Sequence, residues 1–197
     1  FKLKAMKMKS MIMVAAAFTF AAVLSSCGGS KKAADSSFGK EVSVPCNDDE
    51  FHSDAKFFRG TGNGISQDLS TAKSKARLDA NTNLARSINT TIKSVSDRYV
   101  NERQIGENSE FEQKFEQMSR EVVNQQLNNV EVACNKTMQT KDGKFQVFTA
   151  LQVSKDEVLN NISNRISKDQ KLQLDYDKMK FEQIFNEEMN KLESERP

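Results

Sequence analysis

A series of small and apolar residues, spaced three or four positions apart, constrains the fold of this chain more than any other feature. The series is Leu69, Ala72, Ala76, Ala80, Leu84, Ile88, Ile92 and Val95. This spacing predicts a long amphipathic α-helix, and the side chain of Asp68 or Ser70 is suited to cap its first turn. Because alanine is small, the first half of the helix presents a slim face. We therefore expect it to lie close against a sheet, with Leu84, Ile88 and Ile92 filling the far end of the core.

The segments on both sides of this helix predict a small antiparallel sheet and a second helix. Residues 55–64 predict a short strand that runs into a glycine turn with positive φ angles. Residues 130–134 and 145–153 alternate apolar and polar side chains, and Asp142-Gly143 between them indicates a β-hairpin. The second helical pattern, which follows a connection at residues 105–108, comprises Phe111, Phe115, Met118, Val122 and Leu127. We predict an α+β fold in which one strand and a hairpin pack on the long helix.

The C-terminal region predicts one further helix. Residues 155–195 contain neither glycine nor proline, and an unbroken helix of that length would extend roughly 50 to 60 Å at about 1.5 Å per residue. We therefore expect its distal half to project from the domain or to pair with a partner. Its apolar side chains Met179, Phe181, Ile184 and Phe185 could belong to the core or could line a groove for that partner. The same two alternatives apply to Phe111 and Phe115 of the second helix.

Residues 1–26 have the character of a bacterial signal peptide. Four lysines and no acid precede the apolar stretch 11–24, and about 14 residues are fewer than the roughly 20 that span a bilayer. The following Leu24-Ser25-Ser26-Cys27 resembles the lipobox, at which a lipoprotein signal peptidase cuts before the cysteine. The resemblance implies that Cys27 carries a diacylglycerol and an N-acyl chain. No other cofactor is predicted.

The residues after Cys27 predict where the protein lies and how it is divided. By resemblance to lipoprotein sorting rules, Gly28, where aspartate would retain the protein, favours the outer membrane. The acidic cluster that sends some lipoproteins to the cell surface is missing from residues 28–32, so we expect the domain to face the periplasm. Residues 27–44 are rich in small and polar residues and predict a flexible tether. A folded domain at 45–153 and an amphipathic helix at 154–197 would follow.

The net charge limits the kinds of partner that we expect, and the cysteine content bears on the cellular compartment. Removal of the four leader lysines takes the formal net charge from +2 to −2, so we expect no nucleic-acid partner. Cys46 and Cys134 remain after Cys27 in a compartment where disulfides persist. They are either bridged, which closes a loop of roughly 90 residues, or they are two independent thiols.

Residues 57–153 resemble the twenty-kilodalton outer-membrane lipoprotein family first known from Helicobacter. The resemblance is carried by the strand that ends in Gly60-Thr61-Gly62, by alanines at four-residue spacing in the helix, and by the Asp142-Gly143 hairpin. It implies an α+β domain on a lipoprotein with no established enzymatic activity.

Two segments could carry chemistry, and neither has the required pattern. The glycines at 60–64 lack the Gly-Lys-Ser/Thr of a P-loop and the spacing of a dinucleotide loop. The carboxylates at 48–54 surround His52, the single histidine, but lack calcium-loop spacing. We therefore predict no catalytic residue and no metal site.

The predicted function is that of a non-enzymatic envelope lipoprotein that acts by binding an envelope protein or by self-association. One alternative is a periplasmic carrier or chaperone for an apolar ligand or an unfolded envelope protein. The other alternative is a cell-wall enzyme.

Overall fold

The computed structural model describes residues 42–103 and 110–194. The leader, the lipobox with Cys27, the tether up to residue 41 and the connection at 105–108 lie outside the described residues. Within these ranges the chain forms β1 (Phe57–Ser66), α1 (Leu69–Glu102), α2 (Glu110–Gln126), β2 (Glu131–Gln139), β3 (Phe145–Ser154), α3 (Lys155–Ile166), α4 (Gln170–Asp175) and α5 (Lys178–Ser194).

The three strands form one antiparallel sheet in the order β1-β3-β2. Strands β2 and β3 are the predicted hairpin. Their connection is closed by a hydrogen bond of 2.9 Å from the amide of Thr140 to the carbonyl of Lys144, and Gly143 has a φ of 82°. The α+β prediction is confirmed, together with the single strand, the hairpin, the long alanine-rich helix, the second helix and a final helix of 17 residues.

Helix α1 covers one face of the sheet with the predicted stripe. Its buried residues include Ala72, Ala76, Ala80, Leu84, Ile88, Ile92 and Val95. Asp68 caps the helix by accepting a hydrogen bond of 2.7 Å from the amide of Thr71, which satisfies one of the free amides of the first turn.

The glycine turn predicted at residues 60–64 is wrong, because β1 continues through these residues to Ser66. Gly60, Gly62 and Gly64 serve close packing instead of a turn. A Cβ atom added to Gly60 would lie 2.6 Å from the carbonyl oxygen of Ala80, and one added to Gly62 would lie 2.5 Å from that of Ala76. The strand and the helix therefore meet backbone to backbone, glycine against alanine.

The unbroken C-terminal helix predicted over 155–195 is also wrong, because the segment divides into α3, α4 and α5. Aspartates mark both breaks. Asp169 accepts hydrogen bonds from the amides of Lys171 and Leu172 and starts α4, and Asp177 accepts one of 3.1 Å from the amide of Lys180 in α5. Aspartate side chains compete with the backbone in this way and favour helix starts over helix interiors.

Helix α5 folds back onto α1, so the distal half of the segment does not project. Phe181, Ile184, Phe185 and Met189 are buried, and the ring centroids of Tyr99 and Phe181 lie 5.6 Å apart. Of the six residues that could have lined a partner groove, which include Phe111 and Phe115, Met179 alone is exposed. Residues of α5 share one hydrophobic core with β1, β3 and α1.

Candidate functional site

A disulfide joins Cys46, in the segment before β1, to Cys134 in β2, with the two Cα atoms 5.7 Å apart. The sequence left this pairing open. The bridge lies on the face of the sheet opposite α1. Cys134 pairs with Ala150, and Ala150 pairs with Thr61, so the three side chains lie on the same face. Thr61 lies between two glycines of β1 that face the helix, so its own side chain points to the opposite face. Ala150 is buried there. We call this side the outer face.

Residues 46–54, which we call the strap, cover part of the outer face. Thr61 donates a side-chain hydrogen bond of 2.5 Å to Asp48. Arg59 donates to Asp54 at 2.5 Å and to the carbonyl of His52 at 2.8 Å. Burial raises the pKa of Asp54, but hydrogen bonds from Arg59 and from two backbone amides outweigh it, so the pKa lies below its usual value. The strap is thus held by a covalent bond at one end and a charged contact at the other.

Beyond the strap, two rows of the outer face carry apolar side chains, of which Ile65 and Met138 are exposed and Phe148 is partly buried. A row consists of residues that lie side by side on β1, β3 and β2. One row is Asn63, Phe148 and Lys136, and the next is Ile65, Gln146 and Met138. Ile65 is 46% exposed and Met138 is 48% exposed. Ile65 and Met138 are diagonal neighbours of Phe148, so these three side chains form a small apolar patch next to β2.

The free edge of β1 is closed by side chains from elsewhere in the domain. The bonds run from Asn83 to the carbonyl of Thr61 (2.8 Å), from the amide of Asn63 to Asp79 (3.1 Å), from Lys75 to the carbonyl of Ile65 (3.3 Å) and from the amide of Arg59 to Ser53 (2.8 Å). All four strand residues are odd-numbered, which means that odd-numbered residues of β1 direct their backbone groups away from β3. This edge has few groups left for another strand.

The edge of β2 is open in the described part of the chain. Successive residues of an antiparallel strand direct their backbone groups to opposite sides, so the even-numbered residues of β1 form hydrogen bonds with β3. Their partners in the register include Val147 and Thr149, whose backbone groups therefore point toward β1. It follows that Asn135, Thr137 and Gln139 of β2 direct their amide and carbonyl groups outward. Within the described ranges no side chain hydrogen-bonds to these groups, and the three residues are exposed.

The carboxylates around His52 do not gather into a site. Asp48 and Asp54 are engaged with Thr61 and Arg59, as described above, and Asp49 accepts a hydrogen bond from Asn47. The Nδ1 atom of His52 lies 3.3 Å from the backbone oxygen of Asp49, and its Nε2 atom is buried with no hydrogen-bond partner among residues 42–103 and 110–194. In the described part of the chain, no group of three or more His, Cys, Asp or Glu residues is arranged to hold a metal ion.

A groove of about 540 Å³ separates α1 from α2. Its apolar lining residues, Ile92 and Phe115, are at most 3% exposed, and charged side chains, including Lys93, Asp97 and Glu116, stand at its rim. The space between α1 and β1, where a carrier would hold an apolar ligand, is filled by the glycine and alanine backbones.

An ion-pair network that the sequence did not predict ties α5 to α1. Arg98 donates hydrogen bonds of 2.7 Å to both Glu187 and Glu188, and Ser94 donates one of 2.7 Å to Glu188. Burial would raise the pKa of Glu188, but its contacts with Lys191, Arg98 and Ser94 lower it to about 2. About 90 residues separate the partners along the chain, and no local sequence pattern indicates such a contact.

No protein-family model and no curated protein matches this chain. None of the helices among the described residues is both long and apolar enough to cross a membrane.

Proposed function

We propose that this protein is a lipid-anchored, non-enzymatic envelope protein that acts by binding or self-association at the periplasmic face of the outer membrane. The observation that carries the proposal is the disulfide between Cys46 and Cys134, because such bonds persist in exported proteins and are rare in the cytosol. It agrees with the leader and with the lipobox Leu24-Ser25-Ser26-Cys27, which independently indicate export.

The position of the disulfide also suits an anchored domain. Cys46 follows the proposed tether at 27–44, whose extended length is at most about 65 Å. A lipid on Cys27 would keep the domain within that distance of the bilayer, and its acyl chains would contribute about 0.8 kcal/mol per buried CH₂. Confinement of this kind raises the effective concentration of any partner on the same membrane.

The surfaces favour binding to another protein over carriage of an apolar ligand. The open edge of β2 offers main-chain hydrogen bonds, which are a recurring means of peptide and strand recognition. The apolar patch of Ile65, Met138 and Phe148 lies beside that edge. The groove between α1 and α2 has a floor that is already buried and a charged rim, which does not suit an apolar ligand.

The anchor is tested by substituting Cys27→Ala in the full chain and fractionating the cells. We expect the variant to accumulate in a soluble or uncleaved form, whereas Cys46→Ala and Cys134→Ala should remain in the membrane fraction. A Cys27→Ala protein that fractionates with the outer membrane as the unaltered chain does would overturn the anchor.

Deletion of helix α5 would not test self-association. Phe181, Ile184 and Phe185 belong to the core, so their removal would unfold the domain as well as remove a surface. Point substitutions on the open edge of β2 are the appropriate test, since they leave the core intact.

A further inference from the structure

We infer that two copies of this chain pair through their β2 edges, antiparallel and about a two-fold axis at Thr137, to form one continuous six-stranded sheet. This inference rests on the proposed function, since it names the partner in self-association as a second copy. It starts from the contrast between the two edges of the sheet. Edge β1 is closed by Ser53, Lys75, Asp79 and Asn83, whereas the outward groups of β2 have no hydrogen-bond partner among the described residues.

The outward groups of β2 are correctly placed for a two-fold contact. Asn135, Thr137 and Gln139 each direct an amide and a carbonyl toward the open side. An axis at Thr137 places Thr137 opposite its own copy and Asn135 opposite Gln139 of the second copy. Both are hydrogen-bonded pairs, and one surface then serves both partners, as two-fold symmetry requires.

Other registers are less favourable. The ladder between β2 and β3 is irregular between Val132 and Cys134, so an axis at Asn135 would bring this irregularity into the contact. An axis at Gln139 would extend into the connection 140–144. An axis at Lys136 would place two lysines directly opposite each other, which is destabilising.

The Thr137 register also gives Lys136 an acceptable neighbour. Lysine on an edge strand commonly discourages edge pairing, but here Lys136 of each copy lies opposite Met138 of the other copy, on the outer face. The lysine stem can cover the methionine while its ammonium stays in water. The half-exposed Met138 thereby loses part of its contact with solvent.

Photo-crosslinking in cells tests the contact in the full chain. A photo-reactive amino acid at Gln139 should give an adduct of two copies, with the crosslink mapped by mass spectrometry to the region of Asn135 in the second copy. The control probe at Leu78, which is 69% exposed on α1, should give none. Failure to form an adduct at Gln139, or an adduct with a different protein there, would overturn the pairing of two copies.

Two sets of variants keep the test specific. Thr137→Pro removes an outward amide and should abolish the adduct, whereas Thr137→Ala keeps the amide and should retain it. Met138→Lys places lysine opposite Lys136 and should also abolish the adduct, and the double variant Met138→Lys with Lys136→Glu should restore it by placing opposite charges together. A circular dichroism spectrum and a denaturant midpoint like those of the parent protein verify that each variant is folded. An adduct that persists in Met138→Lys, or that the double variant does not restore, contradicts the register.

The two experiments can contradict the lipid anchor and the pairing of two copies independently of each other. Fractionation of the Cys27→Ala protein reports on the lipid alone, and crosslinking at Gln139 reports on the edge alone. A chain that remains in the membrane but gives no adduct retains the anchor and loses the pairing, and a chain that pairs without an anchor shows the reverse.

Discussion

Gly62 lies directly against Ala76, so that a single methyl group on the glycine would fall 2.5 Å from the alanine carbonyl oxygen. Three such positions, at residues 60, 62 and 64, bring β1 into backbone contact with α1. The contact positions the outer face, because any outward displacement of β1 would also shift β3 and the open strand β2.

Substitution of Gly62→Ala should destabilise the domain by about 3 kcal/mol or more. Overpacking commonly costs 1–3 kcal/mol, and here the obstacle is helix backbone, which cannot adopt another rotamer. The neighbouring Asn63→Ala, at an exposed side chain, should change stability by less than about 0.5 kcal/mol. Denaturant unfolding of a soluble chain of residues 27–197 carrying Cys27→Ala measures both, and equal effects would argue against close packing.

Removal of the disulfide should lower the free energy of unfolding by about 4 to 5 kcal/mol, because the bridge closes a loop with a sequence separation of 88 residues. The double variant Cys46→Ala and Cys134→Ala should unfold at a lower denaturant concentration than the oxidised protein. Reduction of the parent protein should produce the same shift. Two reactive thiols in denatured, non-reduced protein would show that no bridge exists.

Alanine substitutions at core and at surface residues of α5 should differ sharply in their effect on stability, although the residues are close in sequence. Phe181 is 1% exposed and contacts several aromatic rings, whereas Met179 is 83% exposed. Phe181→Ala should cost about 3 to 5 kcal/mol, and Met179→Ala should be nearly neutral. If both were neutral, α5 would not be part of the core.

The contacts of Glu188 with Lys191, Arg98 and Ser94 should make the free energy of unfolding depend on pH in the acidic range. The pKa of Glu188 falls from an ordinary 4.5 to about 2 in the folded chain. Its stabilising contribution is therefore complete above about pH 5 and is lost as the pH falls from 4.5 toward 2. The substitution Glu188→Gln should lower the free energy of unfolding by about 1 to 3 kcal/mol near neutral pH.

The comparison of the two proteins across pH provides the check. The difference in unfolding free energy between the parent and Glu188→Gln should shrink through the acidic range. A difference that stayed constant from pH 7 to pH 2 would mean that the carboxylate is not stabilised by its neighbours.

The elements that could be predicted from sequence are those that depend on local periodicity. The four-residue spacing from Ala72 to Ile92 fixes one face of a helix whatever packs on it, and the Asp68 cap and the Gly143 turn act within a few residues. The role of the glycines in β1 cannot be predicted from sequence, because glycine serves both positive φ angles and close packing. The three-dimensional contact with Ala76 and Ala80 decides between the two.

The remaining features depend on tertiary contacts. Asp169 and Asp177 could occupy an exposed helix face as well as a cap, so the breaks between α3, α4 and α5 have no unique pattern. The open edge at Thr137 follows from the strand order, which places β3 in the centre. The contact between Arg98 and Glu188 joins helices that are distant in sequence.

The disulfide also determines how the domain would respond to mechanical force. Any tension that reaches the domain through the chain before Cys46 passes directly through a covalent bond to Cys134 in β2. The hydrogen bonds of Asp48 and Asp54 follow that point in the chain and bear little of the load. The strap would therefore not detach from the sheet first, and β1 would not separate from β3 starting at its end. Pulling would instead load β2 from its interior, where several ladder hydrogen bonds must fail together.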